Sequence, residues 1–294
     1  MASGNRNGEQ RHRQQPRDDA IPDSNGSRAA RADSGFGQLR RVWERLGEDD
    51  PFWAVLSDPD KRGGRWQADE FFATGKLEIE TQLAAAAARG LPQLRALALD
   101  FGCGVGRLTR ALAPHFQRVI GIDVSASMIA AAKRLNADLG NVEFRVNPAT
   151  HLSGIADSSV DFVFSHITLQ HIPAPLALGY VGEFFRVLAP GGVAVFQFVN
   201  GVDASWRGRF FGSLPTLALN MLRRLVWRRG TVFEMHPMPE AELARVLLRH
   251  SGLRVLDAWD DFSAGPGWHG RRWYVTRAAN VTETRRASDR NNPC

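Results

Sequence analysis

The sequence predicts an α/β fold in which helices cover both faces of a doubly wound, mostly parallel sheet. Two observations predict it. From Leu94 onward, short apolar runs alternate with segments of helical periodicity, which is the order of a parallel sheet with crossover helices. In addition, a polar or acidic residue stands at the end of each of the first five runs, where doubly wound sheets bind their ligands. We therefore expect one ligand-binding domain at residues 94–277.

The N-terminal part is predicted to divide into a tail and a helical segment. Residues 1–38 are rich in Arg, Asn, Gln, Ser, Asp and Gly and contain almost no apolar side chains, so we expect them to be disordered. Residues 39–93, here called the lid segment, have apolar residues at helical spacing at 39–46 and 77–88. The aromatic residues at 66–75 either cover a ligand or form a simple packing cluster.

Seven strands and four further helices are predicted in the domain. The strands lie near residues 95–100, 117–122, 142–146, 160–165, 192–199, 253–262 and 271–277. The helices lie near residues 105–114, 125–138, 175–188 and 239–250. Between the fifth strand and the last helix, residues 201–236 form a basic insertion, and a second tail at 278–294 is predicted to be disordered.

Length, cysteine usage and apolar runs restrict the class of protein. The chain has 294 residues, of which 44% are hydrophobic, an ordinary share for a globular protein. No apolar run reaches the ~18 residues that a membrane span needs, and the N-terminus lacks a signal-peptide core of ~7 apolar residues, so we expect a cytoplasmic protein. The two cysteines, Cys103 and Cys294, do not suggest a disulfide framework. High Arg and Ala usage is typical of a bacterium with a GC-rich genome.

The positive charge is concentrated in the insertion. The net charge is +6, and six arginines without any acidic residue between 206 and 229 equal that charge. A nucleic-acid-binding protein would spread its basic residues more widely, so we expect no nucleic-acid partner. Within this patch, residues 214–229 predict an amphipathic helix with arginines on one face. The helix either contacts anionic lipid or an acidic acceptor, or packs as a cap with its arginines in solvent.

The segment Asp100–Arg107, Asp-Phe-Gly-Cys-Gly-Val-Gly-Arg, is the strongest functional signal. It follows an apolar run, and its three alternate glycines permit a tight strand-to-helix turn and close approach of backbone N–H groups to a ligand. Asp123 ends the next apolar run, where nucleotide-binding units place an acid for ribose hydroxyls, although it also suits a helix cap. The dinucleotide fingerprint needs glycine where this chain has Arg107, so an NAD-type cofactor fits less well.

The pattern D-x-G-C-G-x-G-R resembles motif I of the class I S-adenosylmethionine (SAM) dependent methyltransferases, in particular those acting on small molecules and natural products. The resemblance extends over about residues 65–277. It implies SAM as cofactor, a seven-stranded sheet with an antiparallel last strand, a helical lid and a cap inserted after strand five. It also implies cofactor contacts by Asp100, Gly102, Gly104, Gly106, Asp123, Val124, Met128, Asn147, Pro148 and Ser165.

Two of these residues have a specific interpretation. Asn147 stands where the family usually has an acid for the adenine amino group, and its amide oxygen can accept the same hydrogen bond. Met128 either packs near the adenine or only fills the core.

The residues after the fourth strand narrow the reaction. Residues 165–168, Ser-His-Ile-Thr, lack the N/D-P-P-Y/F motif of nucleobase amine methylation, and no cysteine is placed for covalent pyrimidine methylation. The Asp-Asn pair of metal-dependent relatives is absent. We therefore predict metal-free methyl transfer to a hydroxyl of a sugar, natural product or lipid-linked small acceptor. N-methylation of a small amine, an NAD(P)-binding oxidoreductase and a non-catalytic protein of the same fold are the alternatives.

Three residues are candidates for the base that removes the proton of the acceptor. By resemblance, His171 corresponds to the histidine base of sugar and natural-product O-methyltransferases, and the ordinary pKa of histidine suits that step. His171 can also be a helix-capping or solvent-facing histidine. Asp203, just past strand five, can orient His171 or act as the base itself, and His236 can reach the site from the insertion.

Overall fold

The computed structural model describes residues 24–213 and 234–279, together with Met1. The predicted basic helix at 214–229 lies outside the described residues, as do residues 2–23 and all but the first two residues of the C-terminal tail. Their predicted structure and any contact of the basic helix with lipid therefore stay predictions.

In the described part of the chain, the strands are β1 Leu97–Phe101, β2 Arg118–Asp123, β3 Val142–Val146, β4 Val160–Ser165, β5 Leu188–Val202, β6 Leu253–Asp261 and β7 Trp268–Arg277. They form one sheet in the order β3-β2-β1-β4-β5-β7-β6. β7 runs antiparallel to both β5 and β6, and the other neighbours are parallel. The predicted doubly wound α/β fold with seven strands and an antiparallel last strand is confirmed.

The described helices are α1 Ser24–Asp49, α2 Pro51–Val55, α3 Ala68–Ala87, α4 Arg107–Leu112, α5 Ala126–Leu135, α6 Ala174–Val187, α7 Trp206–Ser213 and α8 Glu240–Leu248. A short 3₁₀ turn, Leu169–His171, follows β4. The predicted limits of the domain's elements agree within three residues, except for β5. β5 is longer than the predicted 192–199 because it pairs with β4 from Leu188 and with β7 as far as Val202.

Both faces of the sheet are covered, because alternate residues of each strand point to opposite sides. On one face, Leu99 of β1 packs in a cluster with Phe184 of α6. On the other face, Ala98 packs in a cluster with Ile79 of α3 and Leu108 of α4. Strands buried on both sides must be apolar along their length. Polar side chains for chemistry are therefore placed at the strand ends.

The lid segment packs over the carboxyl ends of the strands. Leu46 of α1, Trp53 of α2 and Phe71 of α3 are buried in one cluster with Val105 of the glycine loop and Met128 of α5. The aromatic residues of the segment thus form a packing cluster that also lies beside the predicted ligand site.

Helix α1 begins at Ser24 rather than near residue 39. Residues 24–38, which the sequence analysis assigned to a disordered tail, thus lie in this helix. That boundary was set by low apolar content, but residues 28–32, Arg-Ala-Ala-Arg-Ala, have high helix propensity. Further along the same helix, Phe36 and Leu39 pack against the main core and anchor it.

Candidate active site

A cavity of about 1320 Å³ opens at the carboxyl ends of β1, β2 and β4, next to the lid segment. Its lining includes the glycine loop, the residues after β4, and side chains of α1 and α2. Aromatic residues contributed by the lid segment and α1 are Phe36, Trp43, Trp53 and Trp66. Because a single small-molecule site usually measures about 300–1,000 Å³, the cavity is large enough for a cofactor and a second molecule together.

The glycine loop requires glycine for conformation and for space. All three loop glycines have φ between +52° and +85°. A Cβ on Gly102 would lie 2.2 Å from Thr168 Cγ2, and one on Gly104 would lie 2.4 Å from Val55 Cγ2. The Gly102 N–H donates to the Ile122 carbonyl at 2.8 Å, which ties the loop to β2. The loop therefore presents bare backbone to the cavity.

Asp123 lies between the glycine loop and helix α5 and lines the cavity. Its Oδ2 accepts the Gly104 N–H at 2.9 Å, and its Oδ1 accepts the Ser125 N–H at 2.9 Å. Burial raises the pKa of Asp123, and the N–H donors act against that increase. The cap of α5 is Ser125, whose hydroxyl accepts the Met128 N–H at 3.1 Å, and Asp123 holds the N–H of this cap residue while it also faces the predicted ligand site. Val124 and Met128 line the same wall.

Asn147 also lines the cavity, just beyond the end of β3. Its Nδ2 donates to the carbonyls of Ala149 and His151, at 3.2 and 3.0 Å. Both N–H donors are thereby engaged within the loop, and the amide oxygen stays available as an acceptor. This arrangement suits the predicted hydrogen bond from an adenine amino group.

Four residues predicted to contact the cofactor are not brought to the cavity, namely Asp100, Gly106, Pro148 and Ser165. Pro148 is exposed, and the Ser165 side chain is buried. The Asp100 side chain instead points towards α4, where its Oδ2 accepts the Thr109 hydroxyl at 2.6 Å. Burial raises the pKa of Asp100 to about 6. The prediction treated the end of a strand as one site, although successive side chains point to opposite faces.

Helix α1 is attached to α5 through Glu44. Its Oε2 and Oε1 accept the N–H groups of Ala126 and Ser127, at 2.8 and 3.0 Å. The Ser127 hydroxyl in turn donates to the Glu44 carbonyl at 2.8 Å. A carboxylate is favourable at the start of a helix, where N–H groups lack partners within the helix. Glu44 thus holds the lid segment beside Asp123, and nothing in the local sequence indicated this role.

His171 lines the cavity at the end of a directed chain of hydrogen bonds. The Ile167 N–H donates to Gln197 Oε1 at 3.2 Å, and Gln197 Nε2 donates to Gln170 Oε1 at 3.1 Å. Gln170 Nε2 lies 3.2 Å from His171 Nε2, and His171 Nδ1 lies 3.0 Å from the Glu234 carbonyl. Because a carbonyl only accepts and an amide N–H only donates, the proton of the neutral ring sits on Nδ1. Nε2 is therefore the basic nitrogen.

The wall around His171 is apolar. The Trp43 ring meets the imidazole edge to face, with 5.5 Å between ring centroids. Met235, next to Glu234, packs in a cluster with Trp268, and both line the cavity. These side chains cover part of the imidazole, which stays partly exposed in the cavity.

Asp203 and His236 do not take the predicted catalytic places. The Asp203 carboxylate accepts the N–H groups of Ser205 and Gly267, at 2.9 and 3.0 Å, and the hydroxyl of Ser205, which lowers the pKa of Asp203. It holds a turn and does not line the cavity. The His236 ring lies 3.7 Å from the Glu234 carboxylate and likewise does not line the cavity. Asp203 was predicted to orient His171, but the Glu234 carbonyl occupies that position, 3.0 Å from His171 Nδ1. Sequence patterns do not reveal contacts of this kind, because the carbonyl belongs to the backbone.

The described residues also bear on metal binding and on membrane-spanning helices. Within residues 24–213 and 234–279, no group of three or more His, Cys, Asp or Glu side chains is placed to hold a metal ion. Across the same residues, each helix is too short or too polar to cross a membrane.

Residues 99–196 match the family model described as a methyltransferase domain. The glycine loop, the acid that ends β2 and the sheet order are consistent with the class I SAM-dependent methyltransferases. The choice between an NAD-type cofactor and SAM is thereby decided for SAM.

Curated relatives carry O-methyltransferase names. The ubiquinone biosynthesis O-methyltransferase of Psychrobacter arcticus is 35% identical over 125 residues, which are 41% of this chain and 48% of that protein. The protein of that name from Xanthomonas euvesicatoria is 28% identical over 160 residues, which are 54% of this chain and 63% of that protein. The chain thus spans about half the length of the first curated relatives that it matches.

Solved structures share the fold. The magnesium protoporphyrin IX methyltransferase of Synechocystis, with bound S-adenosylhomocysteine (SAH), has a TM-score of 0.56 at 18% identity and covers 83% of this chain and 100% of its own. A phosphoethanolamine N-methyltransferase of Haemonchus contortus has a TM-score of 0.58 at 17% identity. The match covers 85% of this chain and 50% of that protein. At such identities the likeness concerns the fold alone.

Proposed function

We propose that the protein transfers the methyl group of SAM to a hydroxyl of a small, uncharged acceptor, such as a sugar, natural product or lipid-linked molecule. We further propose that the transfer needs no metal ion and that His171 is the general base. The observation that carries the proposal is the hydrogen-bond chain that leaves His171 Nε2 unprotonated in the cavity. The O-methyltransferase names of the curated relatives support oxygen as the methyl acceptor.

The residues around the glycine loop fit SAM. SAM, when bound, supplies a methyl group on a sulfonium that is already a good leaving group. A side chain on Gly102 or Gly104 would overlap Thr168 or Val55, so both positions require glycine. Both glycines line the cavity, where bare backbone suits close approach by the ligand. In this proposal Asp123 accepts from the ribose hydroxyls and Asn147 accepts from the adenine amino group. The lid segment excludes water from the site.

His171 has the arrangement that a base requires. Its Nε2 removes the proton from the acceptor hydroxyl as the oxygen attacks, and that proton stays on the ring. The Glu234 carbonyl holds the Nδ1–H throughout and stabilises the resulting imidazolium. At 3.2 Å the Gln170 amide makes a long hydrogen bond to Nε2, which the acceptor hydroxyl displaces when it binds.

The described lining indicates an uncharged acceptor. Its acidic and basic side chains other than histidine are Asp58, Arg62, Arg107 and Asp123, which belong to the lid segment and the cofactor side. Next to His171 the lining consists of the apolar Trp43 and Met235 and the uncharged amide of Gln170. A charged group buried there would lack a partner among the described residues, which is unfavourable. A hydroxyl on an apolar skeleton fits this wall.

The test is a panel of uncharged alcohols, phenols, sugars and small amines, with SAH release as the assay. We expect turnover with hydroxyl compounds, and we expect His171→Ala to lower kcat about 10²- to 10⁴-fold while the Kd of SAH stays unchanged. Asp203→Ala and His236→Ala are matched controls that should keep their turnover. Equal turnover by His171→Ala would overturn the role of the base. Methylation confined to amines would overturn O-methylation.

A second measurement does not depend on finding the acceptor. Long-range ¹⁵N–¹H spectra of histidine-labelled protein distinguish the two neutral forms of the ring. We expect His171 to show a protonated Nδ1 and an unprotonated Nε2. The opposite form would contradict the proposed base.

A further inference from the structure

Gln197 is a buried amide inside the sheet, away from the cavity. It is the one polar residue in the apolar run 193–199 of β5, is fully buried and does not line the cavity. An amide in such a position is unfavourable unless its donor and its acceptor both have partners. Both partners are present, because its oxygen accepts the Ile167 N–H at 3.2 Å and its nitrogen donates to Gln170 Oε1 at 3.1 Å. Gln197 therefore links the end of β4 to the turn that carries His171.

The direction of this hydrogen-bond chain is set at Ile167. A backbone N–H only donates, so the amide oxygen of Gln197 must face Ile167 and its nitrogen must face Gln170. Ile167 has φ +55°, a left-handed conformation that a β-branched residue rarely adopts. Such strained residues persist where the surrounding structure holds them, and they are frequent at active sites. The strained residue here supplies the donor at the start of the chain.

Gln170 passes the direction on to His171. Because its Oε1 accepts from Gln197, its Nε2 faces the ring and lies 3.2 Å from His171 Nε2. An amide N–H that faces a ring nitrogen favours the lone pair on that nitrogen and opposes a proton there. The Glu234 carbonyl favours the proton on Nδ1, and the amide chain disfavours a proton on Nε2. The two buried glutamines thus act on the charge of the ring.

We infer that Gln197 is a positioning residue that acts through Gln170 to keep His171 Nε2 unprotonated. The inference rests on the proposed role of His171 as the general base. A base must be unprotonated when it meets the acceptor, whereas a rotated Gln170 would turn an oxygen towards the ring and favour a proton on Nε2. A residue outside the cavity therefore sets the pH range in which the base is active.

The charged groups around the ring do not depend on Gln197. The α1 side chains that line the cavity are apolar, and the Glu44 carboxylate accepts two N–H groups of α5. On the segment before α8, the side chains of Glu234 and His236 lie 3.7 Å apart. Burial lowers the pKa of His236, and Glu234 acts against that decrease. A change in the pKa of His171 on substitution of Gln197 therefore reports on the amide chain.

The test replaces Gln197 by methionine, which has a similar length but no amide. Without Gln197, the Gln170 amide is able to rotate and to accept from a protonated ring, so we expect the pKa of His171 to rise by about one pH unit. The measurement is a ¹⁵N–¹H titration of histidine-labelled protein, in which the spectrum of His171→Ala identifies the signals of His171. An unchanged pKa of His171 in Gln197→Met would overturn the inference.

A double-mutant cycle tests the route through Gln170. Gln170→Met removes the donor to Nε2, so adding Gln197→Met to this variant should change the pKa of His171 no further. Val195→Ala is the matched control, because Val195 is equally buried on β5, and it should lower stability but leave that pKa unchanged. Additive effects of the two glutamine substitutions, or equal pKa changes in Val195→Ala and Gln197→Met, would refute the inference.

A second substitution keeps the inference testable if Gln197→Met is unstable. Gln197→Leu removes the same amide with a branched side chain and should produce the same rise in the pKa of His171. An unchanged pKa in this variant would also refute the inference.

The pH dependence of turnover distinguishes positioning from loss of structure. A base acts in its unprotonated form, so a raised pKa lowers kcat at pH values below it and leaves kcat unchanged above it. For Gln197→Met, with the hydroxyl compound that the panel identifies, we expect kcat to fall about tenfold near pH 6 and to recover above about pH 8. A loss of the same size at every pH would contradict the inference. Equal turnover by His171→Ala would instead refute the proposed base, which the titration of Gln197→Met does not test.

Discussion

Replacing Gly104 by alanine is expected to lower the free energy of unfolding by two separable effects. Gly104 has φ +52°, and an L-residue in this left-handed region costs about 1–2 kcal/mol. The new Cβ would also lie 2.4 Å from Val55 Cγ2, an overlap whose relief costs about 1–3 kcal/mol. The expected total loss is therefore about 2–5 kcal/mol, measured by urea unfolding.

A double-mutant cycle with Val55→Ala isolates the overlap. With both γ-methyl groups removed, the nearest remaining Val55 atom is Cβ, 3.7 Å from the new Cβ. Gly104→Ala should then cost about 1–3 kcal/mol less than it does beside valine. Gly90→Ala is the matched control, because Gly90 has φ +71° and no atom within 4 Å of the added Cβ. If the effects of Gly104→Ala and Val55→Ala on the free energy of unfolding simply add, the methyl overlap is not the cause of the loss. Equal losses for Gly90→Ala and Gly104→Ala would lead to the same conclusion.

Three further results are expected. Burial raises the pKa of Asp100 to about 6, so the folded state binds more protons than the unfolded state above about pH 4, and stability falls as pH rises to about 6. Asp100→Asn should remove that loss and gain up to about 3 kcal/mol over the unmodified protein between about pH 4 and about pH 7 in urea unfolding. Glu44→Ala should reduce the hydrogen-exchange protection of α1 and lower the free energy of unfolding by about 1 kcal/mol. Glu48 is exposed on the same helix, so Glu48→Ala should change neither quantity. Equal effects of the two variants would contradict the attachment of α1 through Glu44. Asp123→Asn should weaken SAH binding about tenfold or more in calorimetry, and an unchanged Kd would exclude Asp123 as a ligand group.

The sequence predicted the features that depend on neighbours along the chain. Apolar alternation identified the seven strands, and glycine spacing identified the loop, because both reflect local backbone requirements. Asp123 and Asn147 were found for the same reason, since each directly ends or follows a strand that borders the cavity.

The sequence could not predict features that depend on side-chain direction or on distant segments. Asp100 ends a strand as Asp123 does, yet its side chain points towards α4. Asp203 lies just past β5, but the turn at Gly267 takes up its carboxylate. Glu44 lies 82 residues from its partner Ala126, and no local pattern connects them. Arg107 helped to exclude a dinucleotide cofactor, whereas its burial at the wall of the cavity became visible only in the fold.

The two buried amides on the path to His171 have a consequence for natural variation. Gln197 is fully buried and does not line the cavity, yet its orientation fixes that of Gln170 and hence which imidazole nitrogen carries the proton. A primary amide rotated by 180° exchanges the positions of its donor and its acceptor. One rotated amide would therefore disrupt each hydrogen bond between it and His171. Homologous proteins should therefore retain both glutamines or replace both at once, and a correlated pair at these positions would mark enzymes that position their base in this way.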